Sequence, residues 1–120
     1  MRDRKKAEAF GGLGEKLGAL LLMLKGYRIV ARQYRTPVGE IDIIGRRGEV
    51  LIFVEIKARK TAAAAETAIT PQQRTRIERA AGAFIQAHSD LAHLDIRFDA
   101  LLVIRGRWPI HIVDAWRPGD

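Results

Sequence analysis

The chain contains no cysteine, which excludes a disulfide framework and a Cys-ligated zinc site and is compatible with a reducing compartment. Long hydrophobic runs are also missing. The longest, residues 20–24, falls far short of a membrane span, and Met1-Arg-Asp-Arg-Lys-Lys6 leads into no signal-peptide core. A cytoplasmic location with no membrane attachment is the expectation. Repeats, linkers and low-complexity tails are absent too, so residues 1–120 read as a single domain with residues 1–10 as a mobile basic N-terminus. With 48% hydrophobic and 29% charged residues, the composition is that of an ordinary globular protein and not of a disordered chain. A domain of this length buries roughly two-thirds of its unfolded surface without staples.

Acidic residues are outnumbered, 14 Asp and Glu against 21 Lys and Arg, and the excess is unevenly placed. Residues 1–79 hold 17 basic against 9 acidic residues, a net +8, while residues 80–120 hold 4 against 5, a net −1. Such a concentration of positive charge suits phosphate contacts with a nucleic acid, and it also suits a plain solubilising surface. Arg32 and Arg35 precede the central region of the chain, Arg59 and Lys60 follow it, and Arg74 and Arg76 open a later helix. These six are the candidate nucleic-acid contacts.

Residues 14–25 have helical periodicity, with Leu13, Leu17, Leu20, Leu21 and Leu24 forming the apolar stripe and Gly26 ending the helix. Glu15 lies off that stripe, together with small residues such as Gly18 and Ala19 that would permit close approach on that side. Residues 27–34 read as a strand, followed by an Arg35-Thr-Pro-Val-Gly39 loop. Thr70-Pro71-Gln72-Gln73 is a helix start, with Thr as N-cap, Pro at the first position and Gln at the third. Ile77, Ala80, Ala81, Phe84, Ile85 and His88 then recur at helical spacing. Residues 96–104 read as an interior strand and residues 110–116 as a final one, which makes the order αβββαββ. The conformation of the alanine-rich residues 62–65 does not follow from the pattern.

Between the first strand and that helix lie Glu40-Ile-Asp-Ile-Ile44 and Phe53-Val-Glu-Ile-Lys57, separated by the turn signal Arg46-Arg47-Gly48. Pairing Arg46 with Glu49 sets Asp42 opposite Phe53 and Glu40 opposite Glu55, with Asp42 the diagonal neighbour of Glu55. Strand alternation then puts Asp42, Glu55 and Lys57 on one face, and Val50, Ile52, Val54 and Ile56 on the other. Acid-x-Lys alone carries little weight: chance supplies about 0.7 matches in a chain of this composition, and Asp3-Arg4-Lys5 is one of them. Context separates the two. Glu55 and Lys57 interrupt a run apolar enough for a central strand, where charges left isolated would be too costly to keep. Two carboxylates and an amine so placed point to a metal site, with an exposed hairpin carrying ordinary ion pairs as the alternative.

Gly39-Glu-Ile-Asp-Ile-Ile44, Phe53-Val-Glu-Ile-Lys57, Gly14-Glu15, Gly26-Tyr27, Thr70-Pro-Gln-Gln-Arg74 and Arg97-Phe-Asp99 together resemble the small bacterial YraN-like family, which is related to archaeal Holliday junction resolvases. The resemblance spans residues 14–116. It implies an α/β fold with the restriction-endonuclease-like αβββαββ core, a mixed central sheet flanked by helices, as in PD-(D/E)XK nucleases. It also implies that Asp42, Glu55 and Lys57 occupy the nuclease signature positions, and that Glu15 matches a helical acid that joins the site. The chain departs from the family in lacking Phe-Gly after Lys57 and in having Gln72-Gln73 where a lysine is common.

Those residue types suit one chemistry. Asp42 and Glu55, with the Ile56 carbonyl, offer hard oxygen ligands for Mg²⁺ or Mn²⁺, and Lys57 is a movable point charge beside them. The expectation is a metal-dependent endonuclease that hydrolyses DNA phosphodiester bonds, at branched or recombination structures and as a homodimer. The alternatives are a nucleic-acid-binding protein with this fold and no significant turnover, and a basic interaction domain that leaves the acids unexplained. Glu15 also reads as a solvated acid favoured by its helix dipole, Glu40 as a strand-end residue turned outward, and Gln73 as part of a cap. His88, His93 and His111 lack metal-ligand spacing.

Overall fold

The structure, a computed structural model, describes residues 2–61, 63 and 69–119, with side chains in the first helix from Gly12 onward. The chain runs α1 (Arg2–Leu24), β1 (Arg28–Thr36), β2 (Gly39–Arg47), β3 (Val50–Arg59), α2 (Pro71–Ala87), a 3-10 turn (Ser89–Leu91), β4 (Asp95–Ile104) and β5 (Ile110–Trp116). This is the αβββαββ order read from the pattern. Of the alanine-rich residues 62–65, all but Ala63 lie outside the described residues. No helix among the described residues is long and apolar enough to cross a membrane.

The sheet has the spatial order β1-β2-β3-β4-β5. The first three strands form an antiparallel meander, β4 runs parallel to β3, and β5 is antiparallel to β4. A parallel neighbour needs a crossover connection, and the segment holding α2 supplies it. Packing α2 on one face buries Ile41, Ile44, Phe53, Ile77, Ala81 and Phe84 together, while α1 on the other face closes over Ile43, Ile52, Val54 and Leu101. A five-stranded mixed sheet with a helix on each face is the restriction-endonuclease-like core that the resemblance implied.

Local chemistry sets where α2 begins. The Thr70 side chain accepts the Gln73 N–H at 3.2 Å, and the Gln73 side chain accepts the Thr70 N–H at 3.0 Å, with Pro71 at the first helical position. Loss of such a cap costs about 1 kcal/mol.

The first helix has helical backbone from Arg2, ahead of the Gly14 start that periodicity gave. The packing face of α1 also differs from the leucine stripe. Leu13, Leu20 and Leu24 are exposed, whereas Gly14, Gly18, Ala19, Leu21 and Leu22 are buried against the sheet. A Cβ at Gly18 would stand 2.7 Å from Leu101 Cδ1, and one at Gly14 3.1 Å from Val103 Cγ2. Side-chain bulk and not hydrophobicity chose the face, because only the glycine side lets the helix come this close.

Candidate metal centre

The β2–β3 hairpin turns through Gly48 and Glu49, with Arg47 paired to Val50. This corrects the expected pairing of Arg46 with Glu49. Gly48 takes φ +60°, and no positive φ falls on Glu49, so the turn is of the II′ type, which favours glycine at its first central position. Because the new register moves each residue's partner by two positions, every side chain keeps its face. Asp42 now falls in line with Glu55, where Phe53 was expected, and Glu40 is no longer opposite Glu55.

The β2–β3 ladder ends at Ile43 and Val54, although both strands continue. Beyond that point the Asp42 side chain replaces a backbone partner: its Oδ2 accepts the Ile56 N–H at 2.8 Å. The Asp42 and Glu55 carboxyls are neighbours across the hairpin, close enough for each to shift the other's titration. Lys57 Nζ stands 3.7 Å from Glu55 Oε1, and both side chains are only 14% exposed. The structure thus brings Asp42, Glu55, Ile56 and Lys57 into one place.

Burial dominates the electrostatics. It raises the Asp42 carboxyl above its usual range, against the lowering effect of the bonds from Glu55 and the Ile56 N–H. Glu55 is pushed up to about 9, first by burial and then by the charge of Asp42, with Lys57 opposing. Near neutral pH Glu55 therefore keeps its proton. Two acids that cannot both ionise are what a divalent cation would relieve.

Glu55 and Lys57 line an open cleft of about 570 Å³, walled by Arg35, Gly39 and Glu40 from the β1–β2 turn and by Gln73, Arg76 and Ile77 from α2. A Cβ at Gly39 would collide with the Arg76 carbonyl oxygen, so glycine there lets the turn meet the helix. Glu40 lines this cleft 3.4 Å from Arg35 Nε.

The six candidate cations divide. Arg35 and Arg76 wall the cleft, and Arg59 and Lys60 follow Lys57 along the chain, with Arg59 Nη1 donating to the Ala58 carbonyl at 2.7 Å. Arg32 instead reaches Glu15 on α1, Nε to Oε1 2.9 Å, and Arg74 lies over the Trp116 ring at 5.8 Å from its centroid. Glu15 is buried, with its second oxygen accepting from Gln33 Nε2 at 2.7 Å. Among the described residues no group of three or more His, Asp or Glu side chains is arranged to hold an ion. The side-chain donors at the site are therefore the pair Asp42 and Glu55.

A second buried polar centre escaped the sequence reading. Asp99 is fully buried and accepts from Arg97 Nε and Nη2 at 2.8 Å each, from His111 Nε2 at 2.8 Å and from the Asp114 N–H at 3.0 Å. Burial would raise this carboxyl, but the bonds from Arg97, His111 and the Asp114 amide outweigh it and hold it at about 2. Arg97 Nη2 also donates to the Tyr27 hydroxyl at 2.6 Å. The Arg97-x-Asp99 spacing, two residues on one strand face, was the signal available. Distance in sequence hid His111.

A family model described as "Uncharacterised protein family UPF0102" matches residues 14–103. The chain is similar to a UPF0102 protein of Maricaulis maris, 50% identical over 119 residues covering 99% of this chain and 94% of that one. It is also 50% identical to one from Parvibaculum lavamentivorans over 93% of this chain and 84% of the other. A third, from Mesorhizobium japonicum, is 47% identical over 95% and 91%. This is the YraN-like family that the motifs resembled.

Proposed function

Because this chain belongs to UPF0102, an uncharacterised family, its function has to be read from its site, and we propose a Mg²⁺- or Mn²⁺-dependent endonuclease that hydrolyses DNA phosphodiester bonds at branched or recombination structures. One observation carries this reading: Asp42 and Glu55 lie partly buried and in line at the end of the β2–β3 hairpin, and Glu55 and Lys57 open onto a cleft walled by Arg35 and Arg76.

The donor set fits a hard cation. Asp42 and Glu55 would hold it through carboxylate oxygens, with the Ile56 carbonyl as a third oxygen. When bound, the cation supplies Lewis acidity toward a phosphate oxygen and acidifies a water. To hold the cation as a carboxylate, Glu55 would release to solvent the proton that it keeps near neutral pH. Lys57, fixed beside Glu55, orients the attacking water and balances negative charge that grows on the phosphate. Arg35 and Arg76 grip the flanking phosphates, and Arg59 and Lys60 extend the track along the end of β3. A cytoplasmic setting belongs to the same proposal, as does a homodimer, since each chain carries one such site and the two DNA strands offer two target bonds.

The test is cleavage of branched, single-stranded and duplex DNA by the purified protein with Mg²⁺, Mn²⁺ or a chelator. Cleavage should need the cation and fall by more than about a hundredfold in Asp42→Ala, Glu55→Ala and Lys57→Ala. Circular dichroism should show all three still folded. Equal residual cleavage by wild type and variants would trace the activity to a contaminant. Binding without cleavage by a well-folded wild type would leave a DNA-binding module in its place.

A further inference from the structure

In a regular strand, residues two apart share a face. At one row of this sheet two neighbouring strands break that rule together. On β1, Arg32 points to α1, where it meets Glu15, while Tyr34 packs edge-on against Phe84 of α2 with ring centroids 5.2 Å apart. On β2, Ile43 belongs to the α1 cluster and Ile41 to the α2 cluster. Arg32 pairs with Ile43 and Tyr34 with Ile41, so the residues at the reversal are Gln33 and Asp42, across from each other and unpaired in the ladder.

The two residues reverse by different means. Gln33 takes φ +48°, a left-handed conformation that is costly for a residue with a Cβ. Asp42 turns its carboxylate along the sheet to the Ile56 N–H. What holds Gln33 in this conformation is visible on α1: Glu15, buried at 7% exposure, takes Arg32 on one oxygen and Gln33 on the other. The neighbouring residues of β1 are thereby fastened to the same helical side chain.

We infer that Glu15 is a positioning residue. By gripping Arg32 and Gln33 it holds the reversal that swings Asp42 out of the regular ladder and aims it at Ile56 and Glu55. It acts on the site through β1 and is not itself a ligand, in contrast to the role the family resemblance implies for it. The consequence for metal binding rests on the function proposed above. The geometric claim does not.

Amide hydrogen exchange on the full chain, read by NMR without cation or DNA, tests the geometry separately from that function. In the wild type the Ile56 N–H should exchange slowly, like the core amides of β3 and β4. Glu15→Ala should speed Ile56 at least tenfold relative to those core amides. Adding Gln33→Gly to Glu15→Ala should restore slow exchange, because glycine adopts φ +48° freely. Gln33→Val, which resists that conformation, should speed Ile56 even with Glu15 present. Ile56 exchange left unchanged by both Glu15→Ala and Gln33→Val would overturn the inference, as would a double variant without rescue. Should Glu15→Ala not fold, Gln33→Val alone decides in the same way. DNA cleavage adds an independent readout: activity lost in Glu15→Ala returns with Gln33→Gly if Glu15 positions, and stays lost if Glu15 is a ligand.

Discussion

Replacing Glu55 by Gln should make the cation-free protein more stable, and increasingly so as the pH rises. The folded chain keeps the Glu55 proton up to about pH 9, whereas an unfolded chain releases it near 4.5. Between those values the folded state binds more protons, so wild-type stability falls with rising pH. At about 1.36 kcal/mol per pH unit, the loss by about pH 7.5 is roughly 4 kcal/mol. The Glu55→Gln variant has no such proton to release, so its stability should lack this fall over that range. Urea unfolding of both proteins in chelator, from about pH 5 to about pH 8, measures the gap directly. A divalent cation should close it from the wild-type side, since it lets both acids ionise at lower cost. Parallel stability curves for the two proteins would show that Glu55 titrates as an ordinary carboxyl and would remove the electrostatic basis of the site.

Asp99→Ala should cost about 3–5 kcal/mol, since it leaves the Arg97 guanidinium without its buried partner; chemical denaturation at neutral pH measures this. In the wild type the Asp99 contribution is present above the ordinary value of 3.8 and is lost as the pH falls through about 2, which acid unfolding should show as a late transition absent from Asp99→Asn. For DNA affinity, Arg35→Ala and Arg76→Ala should each lower the slope of log affinity against log salt by about 1, while Arg74→Ala, whose guanidinium lies on Trp116, should barely change it. A slope that ignores all three would place the DNA elsewhere.

The hairpin's chemistry was legible because parity survives an error in register. A pairing wrong by two positions still sets Asp42, Glu55 and Lys57 on one face, so their co-facial placement survived a misread turn. The start of α2 was legible for a local reason, as its cap is made by residues three apart. α1 was misread because leucine spacing reports helicity, whereas the buried face was chosen by what fits: Gly14 and Gly18 against Val103 and Leu101. The reversal at Gln33 and Asp42 could not be read at all. Its cause is a contact between α1 and β1, and nothing in an alternating pattern marks a strand residue that will turn left-handed. Similarly, Asp99 gains its depressed value from His111 and the Asp114 amide on another strand.

Calorimetric titration of Mn²⁺ into the wild-type protein, repeated in buffers of different ionisation enthalpy, counts the protons released on binding. If Asp42 and Glu55 form a metal centre, Mn²⁺ binds with release of about one proton per ion near neutral pH, the one Glu55 holds up to about pH 9. Glu55→Gln should then bind far more weakly and release none. Wild-type protein that takes up no Mn²⁺, or takes it up with the same affinity and proton count as Glu55→Gln, would contradict the assignment of these two acids as a metal centre.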